Sequence, residues 1–170
     1  MSTRLISIGN GQGFWGDSID APVDLYKTGD LDYLTLDYLA EVTMSIMQRQ
    51  KLKNPDTGYA YDFIEFINRI LPYRNDIKTK IISNAGGVNP KSCSKQLIQM
   101  AHSKKQKMKI GIIEGDNIFD QLDELISLGA SFQNMDTGED FVKIRDKVMS
   151  ANVYISSFPI SEALEMGAEI

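Results

Sequence analysis

Short apolar runs alternate along the chain with polar loops and with segments of helical period. Five runs rich in Ile, Val, Leu or Tyr are predicted as strands, at residues 4–8, 33–36, 80–83, 109–113 and 152–156. Strands that alternate with helices form βαβ units, and these units build a parallel sheet. The pattern therefore predicts the α/β fold class, with a parallel sheet of about five to six strands joined by βα repeats.

Between the strands, apolar residues recur three and four positions apart, which is the period of an amphipathic helix. This pattern predicts helices at residues 39–50, 63–71, 93–101 and 118–128. Start signals support two of them, because Asn89 precedes Pro90 and because Asp116 or Asn117 can cap the helix that follows. A further helix is predicted at 159–166.

The chain of 170 residues has the length of one domain and contains neither an internal repeat nor an interdomain linker. We therefore interpret residues 1–170 as a single α/β domain. Residues 167–170 are typical of a helix stop followed by the first residues of a sixth strand. We expect the domain to be the N-terminal portion of a longer protein, with a C-terminal companion domain or a homo-oligomer as alternative protein partners.

Composition and charge narrow the class of function. Eighteen Lys and Arg against 23 Asp and Glu give a net charge of -5, which excludes the basic surface that nucleic acids require. No run approaches the roughly 18 apolar residues that span a bilayer, and residues 1–10 are too short for a secretory signal. The single cysteine, Cys93, is expected in the core, and with one histidine it excludes a Cys/His zinc cage. We expect a cytoplasmic protein that acts on a small molecule, with neither nucleic acid nor membrane as a partner.

Glycine and polar residues follow four of the predicted strands. In a parallel sheet, ligands bind outside the carboxyl ends of the strands, so these loops predict the ligand site. The loop after the first strand adds the only tryptophan of the chain. We therefore take as anion- or ligand-binding residues Gly9, Asn10, Gly11, Gln12, Gly13, Trp15, Gly16, Asp17, Asp37, Gly86, Gly87 and Asn89.

The spacing Gly11-x-Gly13-x-x-Gly16 matches the dinucleotide fingerprint, and Asp37 lies where a ribose-binding acid belongs. The match is weak, because two residues separate it from the predicted strand and two bulky aromatic residues would crowd a pyrophosphate. The glycines still expose amides beside a helix predicted to begin near Asp17, and such amides hold phosphate or carboxylate. The alternative is a tight turn in which the tryptophan packs in the core. No Gly-Lys-Ser/Thr motif is present, so neither NAD nor ATP has a strong signature.

Carboxylates at three strand ends are candidates for metal binding or for acid–base chemistry: Asp17, Asp37, Glu41, Glu114 and Asp116. Their spacing leaves both roles open, and a divalent cation such as Mg²⁺ is the cofactor considered. Helix capping by the aspartates and complementarity of Glu41 to a helix dipole are the structural alternatives. Glu114 ends a predicted apolar strand, so we expect its carboxylate to be partly desolvated, a setting that suits acid–base work.

The loops also carry longer, ordered motifs. They read GNGQGFWGD from Gly9, LDYLTLDYLAE from Leu31, NAGGVNP from Asn84, EGD from Glu114, NMDTGE from Asn134 and SANVY from Ser150. In this order they closely resemble the N-terminal part of the acyclic terpene utilisation AtuA family, formerly a domain of unknown function, over essentially the whole chain. Many relatives in that family carry Arg where Ser18 stands here. The resemblance implies a role in bacterial breakdown of acyclic terpenes through acyl-CoA thioesters, and it implies a pathway rather than a reaction.

Together, these observations predict a metabolic enzyme, or its N-terminal part, that acts on a small acyl or acyl-CoA-like carbonyl substrate by hydration, dehydration or similar acid–base chemistry. Asn84 and the glycine amides of its loop would polarise the carbonyl. The candidate catalytic residues are Glu114, Asp116, Asn84 and Glu41. The alternatives are an enzyme with a nucleotide cofactor of the NAD type and a non-catalytic subunit that needs a partner chain.

Overall fold

A computed structural model describes residues 5–170 and divides them into two units. The first unit comprises the chain up to Ile113 together with residues 157–170, and the second comprises residues 114–156. The strands are β1 (Ile8–Gln12), β2 (Tyr33–Leu36) and β3 (Lys80–Ser83). The helices are α1 (Asp20–Thr28), α2 (Glu41–Lys53), α3 (Tyr61–Ile70), α4 (Pro90–Ser103), α5 (Leu122–Ser127) and α6 (Phe158–Glu165), with short 3-10 helices at Leu71–Tyr73, Phe119–Gln121 and Phe141–Lys147.

The first unit is built on a parallel sheet in the order β1-β2-β3. Tyr33 pairs with Ile8 on one side and with Lys80 on the other, so β2 is the central strand. Helices connect the three strands, which confirms the α/β class. The predicted strand number was wrong, because the described residues contain three strands in this sheet rather than five or six.

The first strand lies further along the chain than predicted. Of the predicted run 4–8, Arg4 is outside the described residues, Leu5 is 92% exposed, and only Ile8 belongs to β1. The strand takes in Gly9 and Gly11 because α1 packs closely on it. A Cβ atom at Gly11 would lie 2.7 Å from the Cβ of Pro22 in α1, and the pairing register shifts at this point.

Two other predicted strands do not form. Residues 109–113 pair only with the segment 169–170, through the bonds from the Glu169 amide to the Lys109 carbonyl and from the Gly111 amide to the Ile170 carbonyl, both 2.8 Å. The amide of Ile81 in β3 in turn donates to the Glu169 carbonyl. Residues 152–156 make one isolated bridge, and the ring of Tyr154 is 99% exposed. A ladder needs a neighbouring strand of comparable length, and neither run has one among the described residues.

The core of this unit lies between the sheet and the helices α1, α3 and α4. The buried side chains include Val23 and Tyr26 of α1, Leu34 and Leu36 of β2, Phe66, Ile67 and Ile70 of α3, Ile81 of β3, and Cys93 and Leu97 of α4. Cys93 therefore lies in the core, as predicted, and burial raises the pKa of its thiol to about 12. At that value the sulfur is a neutral packing group rather than a nucleophile.

The helical period predicted most helices within a few residues. The helix predicted at 93–101 is α4, and it begins at Pro90 after Asn89, as the start signal indicates. The segment predicted at 118–128 is the exception, because only Leu122–Ser127 is α-helical and a 3-10 turn precedes it.

The second unit, residues 114–156, has little regular structure. Its antiparallel bridges are isolated pairs, Asn117 with Asn152 and Gln133 with Asp140. Arg145 binds the carboxylate of Asp123 on α5 through two bonds of 2.9 and 3.1 Å.

The close approach of α1 to β1 gives a stability prediction. Gly11→Ala places a methyl group against the backbone-bound atoms of Pro22, so we expect it to destabilise the protein by about 1–3 kcal/mol, as overpacking does. Gly13→Ala is the matched control, because nothing lies within 4 Å of a Cβ atom there. Urea unfolding of both variants measures the difference, and equal effects would contradict this account of Gly11.

Candidate functional site

The carboxyl ends of the three strands lie at one edge of the sheet, because the strands are parallel. Three loops follow there: residues 13–19 after β1, 37–40 after β2 and 84–89 after β3. Most of the predicted ligand residues belong to these loops. Glu41, the first residue of α2, is exposed directly after the second loop, where its charge complements the positive end of the helix.

The loop after β1 is closed by its own carboxylate. One oxygen of Asp17 accepts a hydrogen bond from the Ser18 amide at 2.7 Å, and the other accepts one from the Gly13 amide at 3.3 Å. Gly16 has a φ of +96°, which favours glycine. An amide that we expected to hold a ligand anion therefore already binds a carboxylate of the chain.

A second carboxylate, Asp62 in the first turn of α3, lies beside the same loop. The Trp15 indole and the Gly16 backbone both lower the pKa of this carboxyl group. The Trp15 ring also meets the Tyr61 ring edge to face, with centroids 5.6 Å apart. Trp15 is thus half-buried against the start of α3 rather than within the core.

Sequence reasoning missed Asp62, because an acid in the first turn of a helix is ordinarily an exposed partner of the helix dipole. Here only 8% of the residue is exposed. One signal was present in the sequence: Asp62 lies four positions before Phe66, so it falls on the apolar side if the helix predicted at 63–71 begins slightly earlier, as α3 does.

Burial raises the pKa of Asp62 above its ordinary value of 3.8, although its own amide, Gly16, Trp15 and Phe63 offset part of the effect. Burial also raises the pKa of the nearby Tyr38 hydroxyl, and the Asp62 charge raises it further. Tyr38 is fully buried. It therefore stays protonated across the physiological range.

Three buried oxygens at this edge make no hydrogen bond among the described residues: Gln12 Oε1, Tyr38 Oη and Asp62 Oδ1. Gln12 is the last residue of β1, and its amide nitrogen donates to the Phe14 carbonyl at 3.0 Å. A buried polar group without a hydrogen bond lowers the free energy of unfolding by about 1–3 kcal/mol. The position of these three oxygens at the sheet edge is therefore not explained by their contribution to stability.

Asn84 joins the loops after β2 and β3. Its Oδ1 accepts a hydrogen bond from the Tyr38 amide at 2.8 Å, and its Nδ2 donates to Asp37 Oδ1 at 2.7 Å. The same oxygen of Asp37 accepts the Leu39 amide at 3.2 Å. Two predicted site residues, Asn84 and Asp37, are therefore in direct contact, and both are exposed.

The other predicted residues of the loop after β3 make contacts that stabilise the loop itself. The Gly87 amide donates to the Asn84 carbonyl within the turn, and a Cβ atom at Gly86 would lie 2.8 Å from Pro90. Asn89 Nδ2 donates to the carbonyls of Pro55 and Thr57, each at 2.7 Å. The Asn89 amide group is consequently engaged with the turn before α3.

The residues Gly9, Asn10, Gly11 and Gln12 were predicted in a loop, and this was wrong, because they form β1. Because Gly9 and Gly11 have no side chains, Leu31 and Pro22 pack closely against the strand. Asn10 lies 3.2 Å from the Thr35 hydroxyl of β2. The part of the glycine motif that follows the strand is residues 13–16.

The predicted acid–base pair belongs to the second unit. Asp116 accepts a hydrogen bond from Asn152 at 2.8 Å. The expectation of a desolvated Glu114 was wrong, because the residue is exposed and residues 109–113 directly before it do not form a strand.

Residues 5–170 contain no group of three or more His, Cys, Asp or Glu side chains arranged to hold a metal ion. Within the same range, no helix combines the length and the apolar character needed to cross a bilayer.

Fold and loops define an α/β protein with a parallel sheet and a glycine-containing polar edge at the carboxyl ends of its strands. The family model described as "Acyclic terpene utilisation family protein AtuA" matches residues 6–170, so the chain belongs to this family. Comparisons with curated proteins and with solved structures find no match.

The contact between Asn84 and Asp37 gives a pH-dependent prediction. Asn84→Asp replaces the donor by an oxygen beside the Asp37 carboxylate, and this brings two like-charged groups into contact. Such groups destabilise the fold once ionised, so the variant should lose about 1 kcal/mol at neutral pH and recover it as pH falls. Urea unfolding across pH measures the loss.

The double variant Asp37→Asn/Asn84→Asp is the control. It exchanges donor and acceptor, and it should recover part of the stability at neutral pH. A loss of the same size at every pH, unchanged in the double variant, would contradict the like-charge explanation.

Proposed function

We propose that this member of the acyclic terpene utilisation family is an enzyme, or part of one, that binds a small acyl or acyl-CoA-like substrate at the carboxyl edge of its sheet. The observation that carries the proposal is the contact of Asn84 with Asp37, which joins an amide donor and a carboxylate at the end of two adjacent strands. Such a pair can bind a carbonyl oxygen and accept a proton from a neighbouring carbon or hydroxyl group.

The character of the loop after β1 supports a carbonyl or hydroxyl ligand over a phosphate. Asp17 already accepts a hydrogen bond from the Gly13 amide, and the Gly16 backbone lowers the pKa of the Asp62 carboxyl group. A pyrophosphate would have to displace one carboxylate and approach the other, at an electrostatic cost. The NAD-type alternative places its pyrophosphate at this loop, whereas an acyl-CoA can present its acyl carbonyl here with its own pyrophosphate away from the loop. For this reason we favour the acyl substrate over the NAD-type alternative.

In this proposal, hydration, dehydration or a related proton transfer beside the carbonyl is the reaction. Asp37 is the nearest carboxylate to Asn84 and is the base that we propose in the first unit. Glu114 and Asp116, the acid–base residues predicted from the sequence, lie in the second unit. Because the chain contains a single tryptophan, Trp15, its fluorescence reports on ligand binding at the loop.

We predict that acyl-CoAs raise the melting temperature of the intact chain and change Trp15 fluorescence together. At a ligand concentration of 100 Kd, binding stabilises the native state by about 2.7 kcal/mol. Thermal shift and fluorescence titration against acyl-CoAs, CoA and NAD(P)(H) measure both effects. Trp15→Phe is the control for the fluorescence signal, because it removes the single tryptophan and any emission change that persists does not come from the loop.

The same screen separates the alternatives. Parallel changes with NAD(H) alone would favour the nucleotide-cofactor enzyme. A folded chain that responds to none of these ligands would contradict the acyl site, and association with a second protein chain would then favour the non-catalytic subunit.

A further inference from the structure

The outer edge of β1 has no strand beside it. β1 comes first in the strand order β1-β2-β3, so within the described residues it pairs on one side only. The opposite edge of the sheet differs, because the Ile81 amide of β3 donates to the Glu169 carbonyl at 2.9 Å. The described sheet therefore ends at β1 without a backbone partner.

The hydrogen bonds of β1 show which of its residues face outward. The Tyr33 amide of β2 donates to the Ser7 carbonyl at 3.2 Å, so Ser7 faces β2. Successive residues of a strand direct their backbone groups alternately to its two sides. Gly9 therefore also faces β2, whereas Ile8 and Asn10 face away from it. The backbone N–H and C=O groups of these two outward residues make no hydrogen bond with any of residues 5–170.

The sequence of β1 lacks the residues that ordinarily keep a second chain away from a sheet edge. Edge strands are commonly protected by proline or by charged side chains, above all lysine. β1 reads IGNGQ and contains neither. The strand does contain an irregularity, the register shift between Asn10 and Gln12, and such a bulge disturbs pairing locally. The shift begins after Asn10, so the two outward residues remain in the regular part of the strand.

Exposed apolar side chains accompany the free backbone groups. Leu5 is 92% exposed, Ile6 60% and Ile8 65%. α1 does not cover Ile8, because the helix lies on the other face of the strand. A Cβ atom at Gly9 would lie 3.1 Å from the Leu25 side chain of α1, and neighbouring residues of a strand point to opposite faces. The free edge of β1 is thus bordered by apolar surface that no described element buries.

We propose that this edge is a homodimer interface, in which β1 pairs antiparallel with β1 of a second copy. Free N–H and C=O groups in strand spacing are matched by another extended backbone, as in recognition by strand addition. A second copy supplies such a strand with the same outward residues, and a twofold axis joins both edges in one self-complementary interface. The Ile8 side chains of the two copies then lie on the same face and bury each other. Because β1 carries no charge, the two strands meet without like-charge repulsion.

The proposal does not depend on the proposed substrate, and it gives a different role to two residues expected to bind a ligand. Gly9 and Asn10 belong to the dimer strand instead. A single pair of strands buries less surface than a permanent dimer does. We therefore expect reversible association, with a dimer fraction that rises with protein concentration.

The experiment measures association of the intact chain by sedimentation velocity over a range of concentrations, together with Ile8→Lys and the control Leu52→Lys. Leu52 lies on α2 and is 64% exposed, so the control adds the same charge at an equally exposed apolar position. The original chain and Leu52→Lys should dimerise alike. Ile8→Lys should weaken dimerisation by at least about tenfold, because it removes apolar burial and places two like charges side by side. Circular dichroism checks that each variant is folded.

Hydrogen–deuterium exchange at residue resolution tests the backbone pairing itself. In the original chain the amides of Ile8 and Asn10 should exchange more slowly at concentrations where the dimer forms than after dilution. A chain that stays monomeric at every concentration, or a dimer unaffected by Ile8→Lys, would overturn the proposal. If Ile8→Lys does not fold, the exchange data decide: protection of these two amides that rises with concentration supports the interface, and protection independent of concentration overturns it.

Discussion

The burial of one side of α3 is the constraint on which both the core and the candidate site depend. Phe66, Ile67 and Ile70 are completely buried, and the helix packs against both α1 and α4. A helix held so firmly cannot turn about its axis without opening the core. Its first turn is therefore a fixed support, and it presents Tyr61 and Asp62 to the loop after β1.

The carboxylates at the sheet edge limit what the edge can bind. Glycine amides after a first strand ordinarily attract phosphate, because their N–H groups and the following helix are positive. Here Asp17 and Asp62 neutralise that character from within the chain, and Asp37 adds a further negative charge. The glycine spacing is thus compatible with a fingerprint, while the negative charges around it oppose the binding of an anion such as pyrophosphate.

Local patterns were enough to predict most of the helices and the two strands β2 and β3. They failed where a residue's role depends on a distant element. Gly11 belongs to a strand because Pro22 of α1 approaches it, and no local signal distinguishes this glycine from one in a loop. Residues 109–113 have the composition of a strand, yet a strand is defined by its partner, and they pair with only two residues.

The location of the candidate site could be predicted from the sequence, but the residues that contact one another there could be predicted only in part. Parallel topology places strand ends together, so Asn84 and Asp37 could be expected at one edge, although their direct bond could not. The spacing of Asp62 to Phe66 indicates the apolar side of the helix, but its place beside the loop after β1 could not be expected, because that depends on the packing of the whole helix. Buried polar groups without partners weaken a fold, and three of them border this one edge. The described part of the chain thus carries this cost beside its glycine loop, while the apolar core around α3 is closely packed.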